Sequence, residues 1–388
     1  MRKLPATVVL LGFVSLLNDV ASDMIMPLLP VFLSVTLGAG PAIIGLIEGV
    51  AEATASLLKL WSGRLGDRGI GHKRLAVVGY SLSNLVRPCL GIASSWGAVM
   101  FIRFTDRIGK GIRTAPRDAL LSASVDTRLR GRAFGLHRSM DHSGALIGPL
   151  LASGLLALGL SMQQVFLASV VPGALAVILL MVGLRAVPVP HEQVTLPPLR
   201  WSLLHPRLRA MVIAAGSLAL VTVPDAFLLL WLSKSGISVF WIPLIWAAAH
   251  GVRALVALPG GHWSDHYGRV PVLLAGWTAR AVLLLCVPFV HGWVAVVILF
   301  FLYAGATASS EGAERAVIGD FADKAAQGTA FGLYNMVVGI FALPGALWFG
   351  VVWEGFGMTS AFVLSALLTM VIAVVLASLA RKTPAVNE

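Results

Sequence analysis

Asp19 and Asp23 stand four residues apart in a mainly apolar stretch, so on a helix they share one face. Two carboxylates one turn apart in a low-dielectric setting do not both ionise readily. Such a pair suits the uptake and release of a proton. A second titratable group runs through His137, Arg138, Met140, Asp141 and His142. There His137 shares a face with Asp141, and Asp141 is the reserve candidate for the same chemistry. Arg103, Asp106, Arg107, Lys110 and Arg113 also fall largely on one helical face. Either they line an aqueous cavity that attracts an anion, or they form a structural ion-pair network around Asp106. Arg113 and Arg117 read as gate or anchor residues. His137 and Asp225 join the candidate cavity set. Glu48 and Glu52, His250 and Arg253, and Glu311, Glu314 and Arg315 are further charged or titratable residues within apolar surroundings.

The elements that hold these residues are apolar runs. Of the 388 residues, 57% are hydrophobic and 12% charged, against about 25% charged in a soluble domain. Several runs reach the ~20 residues that cross a bilayer core, as from Ala210 to Trp231 and from Ala361 to Ala380. The pattern predicts an all-α integral membrane chain with spans at 6–36, 41–63, 74–94, 97–122, 131–158, 162–185, 207–233, 238–261, 270–290, 293–316, 328–353 and 358–380. Charged groups inside such spans are expensive and tend to face one another or a cavity.

The net charge of +11 does not mark a nucleic-acid partner, because it is spread over alternate loops rather than gathered on one face. Arg64, Arg68, Lys73, Arg74, Arg128, Arg130, Arg132, Arg185, Arg200, Arg207, Arg209, Arg269, Lys324, Arg381 and Lys382 fall on one side, and Lys234 alone breaks the pattern. Lys and Arg are retained on the cytoplasmic side, which places both termini in the cytoplasm. Met1-Arg2-Lys3 resembles the start of a signal peptide, but Asn18, Asp19 and Asp23 follow without a cleavage site, and the segment reads as a retained first span. Cys89 and Cys286 make neither a disulfide framework nor a zinc cluster.

A proline-rich stretch, with Pro188, Pro190, Pro197, Pro198 and Pro206, divides the chain near its midpoint. The expected organisation is a six-helix bundle over 1–185, a cytoplasmic linker over 186–206 and a second six-helix bundle over 207–388. An internal repeat supports it. At an offset of 197, Gly79 matches Gly276, Cys89 matches Cys286 and Trp96 matches Trp293, and the tract from Gly131 to Leu136 matches that from Gly328 to Leu333.

After the second span the chain reads Gly63-Arg64-Leu65-Gly66-Asp67-Arg68, and after the eighth Gly261-His262-Trp263-Ser264-Asp265-His266-Tyr267-Gly268-Arg269. Both resemble the G-x-x-x-D-x-x-G-R signature of the major facilitator superfamily; the first copy departs by one residue. The resemblance implies gating roles for Gly63, Asp67, Arg68, Gly261, Asp265, Gly268 and Arg269. Arg103 with Gly109 is similar to the family's R-x-x-x-x-x-G motif. Gly144, Gly148 and Pro149 resemble the G-x-x-x-G-P motif of its antiporters, although the glycine pair expected after the proline is replaced by Leu150-Leu151-Ala152-Ser153. The resemblance covers the whole chain and implies a fold of two pseudo-symmetric bundles.

These readings point to a secondary transporter, with proton-coupled efflux of a small solute across a bacterial cytoplasmic membrane as the leading function. Its partners are a small-molecule or ion substrate, protons and membrane lipid. No cofactor, no bound metal and no nucleic acid is expected, and the chain is expected to act as a monomer. The sequence holds no G-x-x-x-x-G-K-[ST] tract for ATP and no G-x-S-x-G or H-E-x-x-H pattern for an intramembrane enzyme. Efflux of a divalent metal or metal chelate is the alternative, with His137, Asp141, His142, Asp19, Asp23, Met24 and Met26 as ligands, and transport of an organic anion is another. The topology has a direct test. Single cysteines at Gly40 and Ala93 should react with an impermeant thiol reagent from outside, and one at Val194 should not; the reverse labelling would overturn the orientation.

Overall fold

The computed structural model describes residues 5–67, 71–125, 129–184, 206–321 and 327–382, and these fold into helices, with no strand among them. In chain order the helices are α1 (Ala6–Asp23), α2 (Leu29–Val31), α3 (Pro41–Asp67), α4 (His72–Val86), α5 (Trp96–Ala123), α6 (Arg130–Ala157), α7 (Met162–Ala168), α8 (Val170–Gly183), α9 (Pro206–Val221), α10 (Asp225–Lys234), α11 (Trp241–Tyr267), α12 (Arg269–Cys286), α13 (Trp293–Phe321), α14 (Gln327–Phe356) and α15 (Met358–Lys382). Joined across short interruptions, they match the twelve expected spans. Ten segments among the described residues are long and apolar enough to cross a membrane. The other two, α5 and α6, have 28 residues each. At 1.5 Å per residue that is about 42 Å, longer than the ~30 Å hydrocarbon core. Their hydropathy is low because they carry charged residues, such as the buried Asp106 and Arg107 on α5, and Arg138 and Asp141 on α6.

Burial runs opposite to that of a soluble helix. On α5, Arg103, Asp106, Arg107 and Arg113 are buried while Phe101 is 70% exposed. On α8, Gly173, Ala176 and Leu180 face inward and Val182 is 83% exposed. Large apolar side chains on the outside are what lipid contact requires, and the polar groups are satisfied inside the protein.

Two of the expected spans have a gap of three residues or more in their helix. The first breaks over 24–28, followed by α2 and a π-helical turn at Phe32–Thr36. The seventh breaks over 222–224, between α9 and α10. The breaks fall at Pro27 and Pro224, which are 197 residues apart, the offset of the internal repeat. Proline lacks the N–H and disfavours a helical conformation in the residue before it. In the second case side chains take up the freed carbonyls: Ser365 Oγ and Trp348 Nε1 donate to Val221 O and Leu220 O. The signature tracts also differ from expectation. They are helical rather than looped: α3 runs on to Asp67, and α11 runs through Gly261 to Tyr267. A helix need not stop at the bilayer edge, and polar residues are stable on its solvated turns. Gly268 ends α11 with φ +93°, a conformation that a side chain disfavours.

The chain forms two compact units, one of residues 1–39, 50–196 and 238–247, the other of 40–49, 197–237 and 248–388. This division departs from the expected bundles in two ten-residue stretches. In the second unit the start of α3 lies on α14, where a Cβ on Gly45 would meet Ala346 O at 2.2 Å. In the first, Ser153 Oγ donates to Phe240 O at 3.0 Å. The expected linker at 186–206 lies outside the described residues except for Pro206.

Within each unit the packing pattern repeats. In the first, α1 packs on α6 and α8, and α4 on α5 and α8; in the second, α9 packs on α14 and α15, and α12 on α13 and α15. A Cβ on Gly79 would lie 2.6 Å from Gly109 O and 2.7 Å from Arg113 Cβ. One on Gly276 would lie 3.3 Å from Ala306 O and 2.5 Å from Ser310 Cβ. Each of these positions is its counterpart plus 197. Tyr80 and Trp277, buried in the cores of the two units, are related in the same way.

Gly144 and Gly148 set the α1–α6 contact. A Cβ on Gly148 would stand 2.7 Å from Val20 O, against backbone that cannot yield. Gly148→Val should therefore lower stability by about 1–3 kcal/mol. Gly154→Ala on the same helix, where a Cβ meets nothing within 4 Å, should not. Melting temperatures in detergent compare the two, and equal values would refute the tight contact.

Candidate functional site

The charged face of α5 closes on Asp106. Arg87, which follows α4, reaches Asp106 Oδ1 through Nη2 at 2.8 Å and Nε at 3.1 Å. Arg103 Nη1 and Arg107 Nε lie 3.8 and 3.7 Å from Asp106 Oδ2. All four side chains are buried. One carboxylate thus holds three guanidinium groups, and the cluster keeps a net positive charge. Arg103, Asp106 and Arg107 thus form the ion pairs of the network reading.

The network extends to the first segment. Arg87 Nη1 donates to Asn18 O and to Asn84 Oδ1, both at 3.3 Å. Asn84 Nδ2 donates to Asn18 Oδ1 at 3.2 Å, and Asn18 Nδ2 to Asp19 Oδ1 at 2.9 Å. A continuous polar chain therefore links Asp106 to Asp19. At the break after α1, Met26 Sδ accepts from Arg103 Nη1 at 3.4 Å and from Arg107 Nη2 at 3.7 Å.

The three candidate proton carriers sit beside this network in the same unit. Asp19 and Asp23 are half-buried. Asp19 has Asp141, Arg113 and Arg117 as charged neighbours. Asp23 has Asp19, Lys110 and Arg87, with the Trp246 indole beside it. Asp141 Oδ2 stands 3.4 Å from His137 Nδ1, and His137 is buried with no hydrogen-bond partner at Nε2. The antiporter-type motif explains the closeness. A Cβ on Gly144 would lie 2.9 Å from Asp19 Cβ, and one on Gly148 3.1 Å from the Asp23 carbonyl carbon. These two glycines let α6 meet α1 at the two aspartates.

Lys110 is half-buried, with Arg107, Glu52 and Lys59 around it. Arg113 stacks on Tyr80, 4.3 Å from the ring centroid. Arg117 pairs with its neighbour Asp118 at 2.8 Å and reaches Ser15 Oγ at 3.4 Å. Asp225 belongs to the second unit and pairs there with Arg253 at 3.2 Å. Among the gating residues, Asp265 forms an ion pair with Arg269, which also donates to Ser264 Oγ at 3.1 Å. The close helix approach falls at Gly260, where a Cβ would lie 2.7 Å from Ser309 O, while nothing lies within 4 Å of one on Gly261. Gly63 and Asp67 lie on the last turns of α3, and Arg68 lies outside the described residues. Pro149 sits inside α6. No group of three His, Cys, Asp or Glu side chains is placed to hold a metal ion among the described residues.

Sequence reasoning missed Arg87, Asn84 and Arg280. The signal was present, since each is a polar residue inside an apolar span. Asn84 and Arg87 share a face three residues apart, but no acidic residue in the 74–94 span marks that face, and Arg280 stands alone in its own span.

Broken first segments, buried charge facing charge and lipid-facing apolar surfaces define a polytopic membrane transporter. Sequence and structure comparisons give its family. The Major Facilitator Superfamily model matches residues 11–256 and 210–388, and the chain belongs to that family. It is 32% identical over 364 residues to an uncharacterized MFS-type transporter of Methanocaldococcus jannaschii, covering 91% of this chain and 90% of the relative. The multidrug resistance protein MdtH of an Enterobacter species matches over 132 residues at 30% identity, 34% of this chain and 33% of that one. The crystal structure of the nucleoside transporter NupG has the same fold, with a TM-score of 0.81 over 96% of this chain and 99% of that one, at 16% identity.

The network predicts an asymmetric response to mutation. Asp106→Asn leaves three buried guanidinium groups without their counter-charge and should cost about 3–5 kcal/mol. Arg107→Gln keeps the Arg87–Asp106 pair and should cost far less. Thermal unfolding of both variants in detergent measures this, and equal tolerance would show that Asp106 does not hold the cluster together.

Proposed function

We propose that this transporter exports a small solute in exchange for protons, with Asp19, Asp23 and Asp141 as the proton-carrying groups. The observation that carries the reading is the α1–α6 contact, where Gly144 and Gly148 bring α6 against α1 at the two aspartates, with Asp141 beside Asp19. Carboxylates this close repel when both are ionised and are at ease when a proton is shared. Loading and releasing that proton changes the electrostatics of a contact between two transmembrane helices, and the first of them is broken just beyond Asp23. Moving one charge across 100 mV is worth about 2.3 kcal/mol, enough to drive accumulation of a solute.

On the substrate side, Arg103, Arg107 and Lys110 carry more positive charge than Asp106 offsets, and this favours an anionic or zwitterionic solute. The same charge disfavours the alternative of divalent metal efflux. The partial likeness to MdtH agrees with efflux. In this reading the protein lies in the cytoplasmic membrane as a monomer with both termini in the cytoplasm, and Asp67, Asp265 and Arg269 act at its cytoplasmic gate.

Proteoliposomes carrying wild type, Asp19→Asn or Asp23→Asn test the coupling. Each variant should lose accumulation driven by an imposed pH gradient and keep downhill exchange. If both still accumulate solute against its gradient at the wild-type rate, the coupling site lies elsewhere.

A further inference from the structure

Arg280 on α12 is 7% exposed and lies in the second unit. Its Nη2 donates to Thr222 Oγ1 at 3.1 Å and to Tyr303 Oη at 3.4 Å. Its Nε has no hydrogen-bond partner. No carboxylate among the described residues forms an ion pair with it. The acidic groups that act on it from a distance are Glu314 and Asp225, and each is already engaged: Tyr334 donates to Glu314 at 2.6 Å, and Asp225 pairs with Arg253.

Tyr303 occupies the repeat position of Asp106, 197 residues on. In each unit an arginine from the third segment ties the fourth segment to the first. In one unit the arginine meets a carboxylate; in the other it meets a phenol. A buried cation is stable only when paired or well hydrogen-bonded, and Arg280 lacks the counter-charge that Arg87 has.

We propose that Arg280 and Tyr303, at the break between α9 and α10, bind a compact monovalent anion. The guanidinium supplies charge and its free Nε–H. The Tyr303 hydroxyl accepts from Arg280, so its own hydrogen is available to the anion. Thr222 donates its hydroxyl hydrogen to Leu218 O at 2.8 Å and accepts from Arg280, so it orients the guanidinium and does not touch the anion. α10 opens at the same break with Asp225 as its first residue, and that carboxylate is already held by Arg253. A free halide and the carboxylate end of a solute share this chemistry. The inference stands on the second unit alone and does not depend on proton exchange in the first.

The test is binding to the purified full-length protein, with bromide and formate as separate probes at constant ionic strength made up with a bulky sulfonate. Either probe should raise the melting temperature saturably, by about 2–4 °C. Bromide alone doing so marks a resident halide, and formate competing with bromide marks a carboxylate site. Arg280→Gln should abolish the shift. Tyr303→Phe, which keeps the charge, should weaken the affinity by about tenfold and serves if Arg280→Gln does not fold. No anion-specific shift in the wild type, or an undiminished one in the Tyr303→Phe or Arg280→Gln variant, overturns the proposal.

Discussion

Charge buried beneath lipid must find charge, and the Asp106 carboxylate among Arg87, Arg103 and Arg107 is where this chain meets that constraint. The pairing fixes which face of α5 points inward, so Phe101 is turned outward. It draws the end of α4 onto α5 and, through Asn84 and Asn18, anchors α1. Met26 brings the break of the first segment to the same arginines. Remove the carboxylate and the three arginines that tie α4, α5 and the first segment together lose their common partner.

A second constraint acts on backbone rather than charge. Prolines at equivalent places interrupt the first segment of each half, and glycines let a neighbouring helix close against the segment. Gly148 meets Val20 O; Gly345, its counterpart, meets Ala219 O and Leu220 O. Small residues serve here because apolar lipid supplies no hydrophobic drive between helices, and close contact supplies the attraction. Asp19 and Asp23 stand beside the contact in the first unit, and their repeat counterparts in the second are Gly216 and Leu220. The same architecture can therefore serve different chemistry in its two halves.

Divergence within the repeat follows the same rule. Tyr80 and Trp277 keep an aromatic group in both cores. Asp106 and Tyr303 do not keep the same chemistry, although both receive an arginine. Shape is conserved between the halves where helices pack, and charge is not.

Much of this was legible in the sequence, for stated reasons. Apolar runs of membrane-spanning length dictate helices, because a backbone in lipid must satisfy its own hydrogen bonds. The 197-residue offset announced the repeat, and spacing alone put Arg103, Asp106 and Arg107 on one face. Spacing could not choose between cavity and network. That choice depended on Arg87, a residue on another helix that no periodicity connects to Asp106. The helical course of Gly261–Tyr267 and the breaks at Pro27 and Pro224 were likewise decided by tertiary context: proline and glycine permit several local outcomes, and the neighbouring helices select one. The sequence by itself determined which segments lie in the membrane and which residues carry charge there. Only the tertiary structure decided which charges neutralise one another, because ion pairing acts over a few ångströms between helices that are distant in the chain.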